Sequence, residues 1–258
     1  MSEENNIVPA VNRSIDILEY IAQAPNPVTI KELSDALDIP TASCFRIVKN
    51  LLARKYLIED RYTKGRYLYG FRAIELAEYA LYKLDLRTIA IPFMKTIAME
   101  LNQAVQLSVL ETGGVIFIEQ TLPINPINAM AKQFVPSPVN VSAGGKILCA
   151  YMPLYKKNDY LSHAELAQYT EYSITDHDAL MKELEKVAER GYALDMQEFS
   201  IGVGCIAVPI FNYTGNCIAA IGITGSYQEY QDQKNIDRFF EIMKHAADEI
   251  SLQMGYNY

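Results

Sequence analysis

The chain is poor in residues that cross-link or ligate. It has four cysteines in 258 residues, at 44, 149, 205 and 217, and no two of them form a C-x-x-C pair. Thiols scattered so widely give neither the spacing of a zinc site nor the framework of a disulfide-stapled scaffold. Reduced thiols in a cytoplasmic protein are the expectation, with no metal and no cofactor. The three histidines stand in no motif. Long apolar runs are also missing, and no stretch approaches the roughly 20 residues that span a bilayer. The opening MSEENN is acidic and has no apolar segment, so neither a signal peptide nor a membrane partner is expected.

Positive charge is in deficit overall, with a formal net charge of −8. Its distribution is uneven. Residues 41–70 hold seven Lys or Arg (Arg46, Lys49, Arg54, Lys55, Arg61, Lys64 and Arg66) against only Glu59 and Asp60. Residues 1–40 hold two basic residues against seven acidic ones, so the first seventy residues cancel and the whole deficit lies in 71–258. An acidic body is a poor general binder of nucleic acid, which confines any such contact to the N-terminal part. The length suggests two domains, each able to bury a core.

The most informative stretch is Thr29–Leu52, TIKELSDALDIPTASCFRIVKNLL. Thr29 and Glu32 make a T-x-x-E capping box. Ile30, Leu33 and Leu37 recur at helical spacing, and Asp38-Ile39-Pro40 ends that helix. A second helix follows with Thr41 as its expected N-cap. Cys44, Ile47, Val48, Leu51 and Leu52 form its inner face. Ser43, Phe45, Arg46, Lys49 and Asn50 lie opposite, with side chains suited to phosphates and base edges. Two short helices closed by a tight turn match a helix-turn-helix, whose second helix lies in the DNA major groove. The same geometry also occurs as plain packing. The following YLIEDRYTKGRYLYG reads as a hairpin with a basic tip, a wing carrying Arg61, Lys64 and Arg66.

Before this motif, a helix from about Pro9 to Ala24 should turn Val11, Ile15, Leu18 and Ile21 or Ala22 to the core. Arg13 on its outer side is either a solvated arginine or a backbone contact. After the wing, residues 71–85 read as a linker helix whose Ile74, Leu76, Ala77, Ala80 and Leu81 suggest packing against a second subunit. A dimer suits a helix-turn-helix, because two copies span half-sites about 34 Å apart on a palindromic operator. From Leu86 to the end, a first helix precedes the hairpin runs AVQLSVLE and VIFIEQT and a third run, INAMAK. Helices at about 143–152, 159–168 and 176–190 follow, then strands at 191–197, 204–211 and 216–225, and a closing helix from about Tyr230 to Met254. Six strands with clustered helices predict an α+β layer built on an antiparallel sheet. Ser142-Ala143-Gly144-Gly145-Lys146 opens a helix, where free amides and the dipole can hold an anion. Glycines there equally allow close helix–sheet packing.

The succession VNRSIDILEYIA, the helix-turn-helix, GRYLYG, LDLRTIAIP, SAGGKILCAYMP and RGYALDMQEFSIGVGCIAVPIF resembles the IclR family of bacterial transcriptional regulators, from about Val8 to Gln253. The resemblance implies three parts. These are a winged helix-turn-helix DNA-binding domain (1–70), a linker helix (71–85), and a GAF- or profilin-like domain (86–258) that binds an effector and makes homodimers or homotetramers. It also implies a pocket whose positions fall on Ala143, Gly144, Asp195, Cys205, Gly222 and Thr224. Gly222 stands where the family often has serine, and Gly204 where it often has arginine. Thr41, Ala42 and Phe45 replace a common lysine, serine and histidine in the reading helix.

The expected function is a transcriptional regulator, with repression the expected sign. Thr41, Ser43, Phe45, Arg46, Lys49, Arg61, Lys64 and Arg66 would meet operator DNA. Its effector would be a small hydroxy-, keto- or sugar-acid. Asp195 would repel an acid group, so the ligand's carboxylate belongs at the Ala143–Gly145 amides and a hydroxyl at Asp195, unless Asp195 only caps a turn. Two other readings remain. The second domain could serve oligomerisation alone, or be an enzyme with Cys205 as nucleophile and His163 or His177 as base.

Overall fold

The computed structural model describes residues 8–76, 85–123 and 132–257. The expected INAMAK strand and residues 77–84 of the expected linker helix lie outside them. The chain forms two compact units, Met1–Leu84 and Asp85–Tyr258.

In the first unit, α1 (Pro9–Gln23) begins with proline in its first turn, where no amide is needed. Strand β1 (Val28–Thr29), α2 (Ile30–Ala36), α3 (Thr41–Ala53) and the hairpin β2 (Leu57–Glu59) and β3 (Arg66–Tyr69) follow. The capping box forms as expected, with Thr29 N donating to Glu32 at 2.6 Å and Glu32 N to Thr29 at 3.1 Å. Between the helices Asp38 takes a left-handed backbone, φ 51°. Thr41 is not the N-cap of α3. That place is Pro40's, and the Thr41 hydroxyl lies 2.9 Å from Ser34 Oγ, tying the two helices together. Strand β1, not expected from the sequence, adds to the wing and gives a three-stranded sheet in the order β1-β3-β2.

Ile17, Ile21, Leu33, Cys44, Val48 and Leu57 form the core of this unit. The expected inner face of α1 needs correction, because Val11 and Ile15 are 53% and 48% exposed. The helix carries apolar residues on two adjoining stripes, and the core takes the one through Ile17 and Ile21. Residues 71–76 are helical, and Phe71, Ile74 and Leu76 are exposed.

In the second unit, α4 (Leu86–Leu101) leads into β4 (Ala104–Glu111) and β5 (Gly114–Thr121). A 3-10 turn (Val139–Val141), α5 (Ala143–Ala150), α6 (Leu154–His163) and α7 (His177–Arg190) follow. Then come β6 (Ala193–Met196), β7 (Val203–Phe211), β8 (Cys217–Ser226) and α8 (Gln233–Gln253). The described strands form one antiparallel sheet, ordered β5-β4-β8-β7-β6. Helices α5 and α7 pack on one face and α4 and α8 on the other.

Two boundaries differ from expectation. The helix foreseen at 159–168 is Leu154–His163. The chain leaves it at Ala164 because buried Asn140 holds the next segment extended, donating to Ala167 O at 2.8 Å and Ile174 O at 2.9 Å. The last helix starts at Gln233, since Tyr230 ends a 3-10 turn with its ring buried.

Candidate functional site

The outer face of α3 presents Phe45, Arg46, Lys49 and Asn50 to solvent, with Ser43 half-buried. Lys49 Nζ lies 5.6 Å from the Phe45 ring centroid, so cation and aromatic ring form one patch. Arg13 of α1, Arg46 and Arg54 line a single cleft with Ser43, Asn50 and Tyr56. That places Arg13 beside α3, and no carboxylate is among the described residues that line the cleft. In the wing, Arg61 and Lys64 are exposed around Gly65, whose φ of 78° the tight tip requires. The wing's own acids serve its fold. Glu59 accepts Gly65 N at 2.7 Å, and Asp60 accepts the Thr63 hydroxyl, which lowers the Asp60 pKa. Arg66 is not at the tip. It reaches back to donate to Pro27 O at 2.7 Å and pairs with Glu32 at 3.3 Å, joining the wing to the start of α2.

In the second unit, a partly open cavity lies between the start of α5 and the sheet. Ala143, Gly144, Asp195, Cys205, Gly222 and Thr224 all line it. Strand register brings the sheet residues together. Asp195 is paired with Cys205, Cys205 with Thr224, and Gln106 with Gly222, so their side chains leave the same face. Cys205 Sγ lies 3.2 Å from Thr224 Oγ1, and Thr224 donates to Gln106 Oε1 at 3.1 Å. Gln106, Ser108 and Phe199 also line the cavity and were not foreseen. The signal for Gln106 and Ser108 was present. They are polar residues at two inward positions of AVQLSVLE, where an alternating strand would otherwise bury apolar groups.

The opening of α5 is tightly packed. A Cβ on Gly144 would collide with Ser108 Oγ, and one on Gly145 would lie 2.7 Å from Val139. Ser142 Oγ accepts Gly145 N at 3.2 Å, so the third amide of the expected anion site is occupied. The amides of Ala143 and Gly144 have no intrahelical acceptor and belong to residues lining the cavity.

Asp195 is both cap and cavity wall. Its Oδ1 accepts Glu198 N at 2.6 Å and Phe199 N at 3.3 Å, while Oδ2 faces the Cys205 thiol at 3.7 Å. Burial raises its pKa against the pull of these bonds and of Lys146. Lys146 is buried and pairs with Glu198, whose carboxyl burial pushes up to about 7 despite that cation. Burial and the Asp195 charge raise Cys205 well above the usual thiol range, so it is a thiol and not a nucleophilic thiolate. No histidine is among the described residues that line the cavity. His163 bonds within its own helix, to Asp159 O at 2.8 Å.

A winged helix-turn-helix joined in one chain to a unit with a cavity that a few polar side chains line is the layout of a DNA-binding transcriptional regulator. Comparison with known proteins agrees. Residues 78–252 match the family model described as bacterial transcriptional regulator IclR C-terminal, and residues 10–61 match the IclR helix-turn-helix domain. The chain belongs to the IclR family of bacterial transcriptional regulators.

It is 27% identical over 256 residues to an HTH-type transcriptional regulator of Haemophilus influenzae, covering 96% of this chain and 93% of that protein. It is 25% identical over 246 residues to the HTH-type transcriptional repressor AllR of Escherichia coli K12, covering 95% and 90%. Among solved structures, Thermotoga maritima IclR superposes with a TM-score of 0.64 at 26% identity, covering 95% of this chain and 98% of that one. These relatives are regulators and not enzymes. No helix among the described residues is long and apolar enough to cross a membrane.

Proposed function

We propose that this regulator is a repressor whose operator affinity is set by a small organic acid bound in the second unit. The observation that carries the reading is the cavity itself, between the start of α5 and a row of polar side chains on the sheet. The ligand's carboxylate meets the Ala143 and Gly144 amides, and its hydroxyl donates to Asp195. A domain serving oligomerisation alone has no use for buried polar groups around empty space. The sign of regulation follows that of the similar AllR, described as a repressor.

Arg46, Lys49, Arg61 and Lys64 supply phosphate contacts, with Arg13 and Arg54 beside them. Thr41, Ser43, Phe45 and Arg46 face the bases. Arg66 holds the wing in place through Glu32. The protein acts as a homodimer or dimer of dimers on a palindromic operator. Val11, Ile15, Phe71, Ile74 and Leu76 are among the exposed apolar residues available for pairing. The effector works by binding the DNA-competent and incompetent arrangements unequally. A coupling of about 1–3 kcal/mol, or roughly 5–150-fold, is usual.

The test is a thermal-shift screen of hydroxy-, keto- and sugar-acids, followed by titration of operator DNA with and without each acid that binds. Stabilisation together with a change in operator affinity supports the reading. Stabilisation by none of them rejects it.

A further inference from the structure

We propose that Gln106 selects the effector, by donating its side-chain amide to a carbonyl or carboxylate oxygen of a small monocarboxylic hydroxy acid or of the corresponding amide. This rests on the effector reading above and adds the group that reads the ligand's oxygen.

Gln106 sits at an inward position of β4 and is only 8% exposed. Its two amide ends have different fates. Oε1 accepts the Thr224 hydroxyl at 3.1 Å, whereas Nε2 is buried and has no partner among the described residues. The Thr224 hydroxyl sits between Cys205 Sγ at 3.2 Å and Gln106 Oε1 at 3.1 Å, and with Oε1 turned to Thr224 the amide N–H groups are left over. Buried polar groups are rarely left unpaired, and an exception calls for an explanation. Because Gln106 lines the cavity, a ligand atom there supplies the missing acceptor.

The rest of the lining narrows the chemistry. No lysine, arginine or histidine lines the cavity, and Gln106 carries the only side-chain N–H among its described lining residues. The Ser108 hydroxyl is turned to Ala220 O at 3.2 Å. An acid is therefore met by neutral N–H groups, those of Gln106 and of the Ala143 and Gly144 backbone. Asp195, on the far side of Cys205 and Thr224, accepts a hydroxyl and repels a second carboxylate. Hydroxy monocarboxylates fit this arrangement, and dicarboxylates do not.

The experiment uses the full chain, with glycolate, lactate and glycerate as probes, lactamide as the uncharged analogue, and malonate as the dicarboxylate control. Wild type, Gln106→Met and Gln106→Glu are compared by thermal shift and calorimetry. The methionine keeps the length and removes both polar atoms. The glutamate keeps an acceptor for Thr224 and removes the donor.

The expected result is that a hydroxy acid, but not malonate, raises the wild-type melting temperature. Gln106→Met should then raise the ligand-free melting temperature, and both variants should lose at least about tenfold in affinity for acid and amide. Wild-type affinity in either variant, or a lower ligand-free melting temperature in Gln106→Met, overturns the proposal. If binding survives both Gln106 changes but fails in Asp195→Asn, the effector site stands and the role of Gln106 falls. If wild type binds none of the probes, both fall together.

Discussion

Lys146 and Glu198 form an ion pair sealed inside the second unit, with the lysine side chain 1% exposed and its ammonium also donating to Leu194 O at 2.8 Å. The pair ties the helix that opens on the cavity to the turn carrying Phe199. Thr170 and Ser173 clasp the same turn from outside, donating to Gln197 O at 2.7 Å and Glu198 O at 2.8 Å.

This pair gives the stability of the unit a definite pH dependence. Burial lifts Glu198 from its usual 4.5 to about 7, so between those values the folded chain holds a proton that the unfolded chain has released. Stability from this group therefore falls as pH rises across that window. Asp195, also raised by burial, adds to the same slope. Urea unfolding of Glu198→Gln across the window should show a flatter profile than wild type. Above about pH 7, Lys146→Met should be costly, by about 3–5 kcal/mol, because it leaves a buried carboxylate without its cation. An unchanged profile in Glu198→Gln would show that the carboxyl titrates as if exposed.

The basic residues of the first unit should separate into two kinds. Lys49→Ala, Arg61→Ala and Lys64→Ala should each weaken binding to operator and random duplex alike. Each should also reduce the magnitude of the salt slope by about 0.9. Arg66→Ala should instead lower the melting temperature, since its guanidinium holds Pro27 and Glu32. Phe45→Ala should cost roughly 1–3 kcal/mol on operator and little on random duplex, as a base contact does. Fluorescence anisotropy over a range of salt concentrations measures all of these.

Gly204 is fixed by its neighbour. A Cβ there would lie 2.7 Å from Cγ of Tyr230, whose ring is fully buried and whose hydroxyl donates to Gln103 at 2.5 Å. Gly204→Ala should destabilise the second unit by about 1–3 kcal/mol, read as a lower urea midpoint. It also accounts for glycine at a position where the family often has arginine. A larger side chain needs the space that Tyr230 fills.

Much of this architecture was legible in the sequence because local chemistry and tertiary packing agree there. The Thr29–Glu32 box, the two faces of α3 and the wing hairpin all follow from short-range rules. The cavity positions came from the family resemblance, and strand register accounts for their meeting, since Asp195, Cys205 and Thr224 lie side by side across three strands. What was missed depends on distant partners. Periodicity in α1 could not say which of two apolar stripes the core takes. The helix ending at His163 stops early because of Asn140, some twenty residues upstream. Arg66 looked like a wing-tip charge until Glu32 and Pro27 were seen beside it. The spare amide of Gln106 became visible only with every neighbour in place.

The central claim is that occupancy of the cavity changes the grip on DNA, and one titration tests it most directly. Operator affinity of wild type and Asp195→Asn is measured by anisotropy with and without a hydroxy acid that stabilises the wild-type chain. The asparagine keeps an acceptor for Glu198 N and Phe199 N but loses the carboxylate proposed to receive the ligand's hydroxyl. The account predicts a shift of roughly 5–150-fold in wild type that is lost or sharply reduced in the variant. An operator affinity in wild type that is the same with the cavity filled and empty would contradict it.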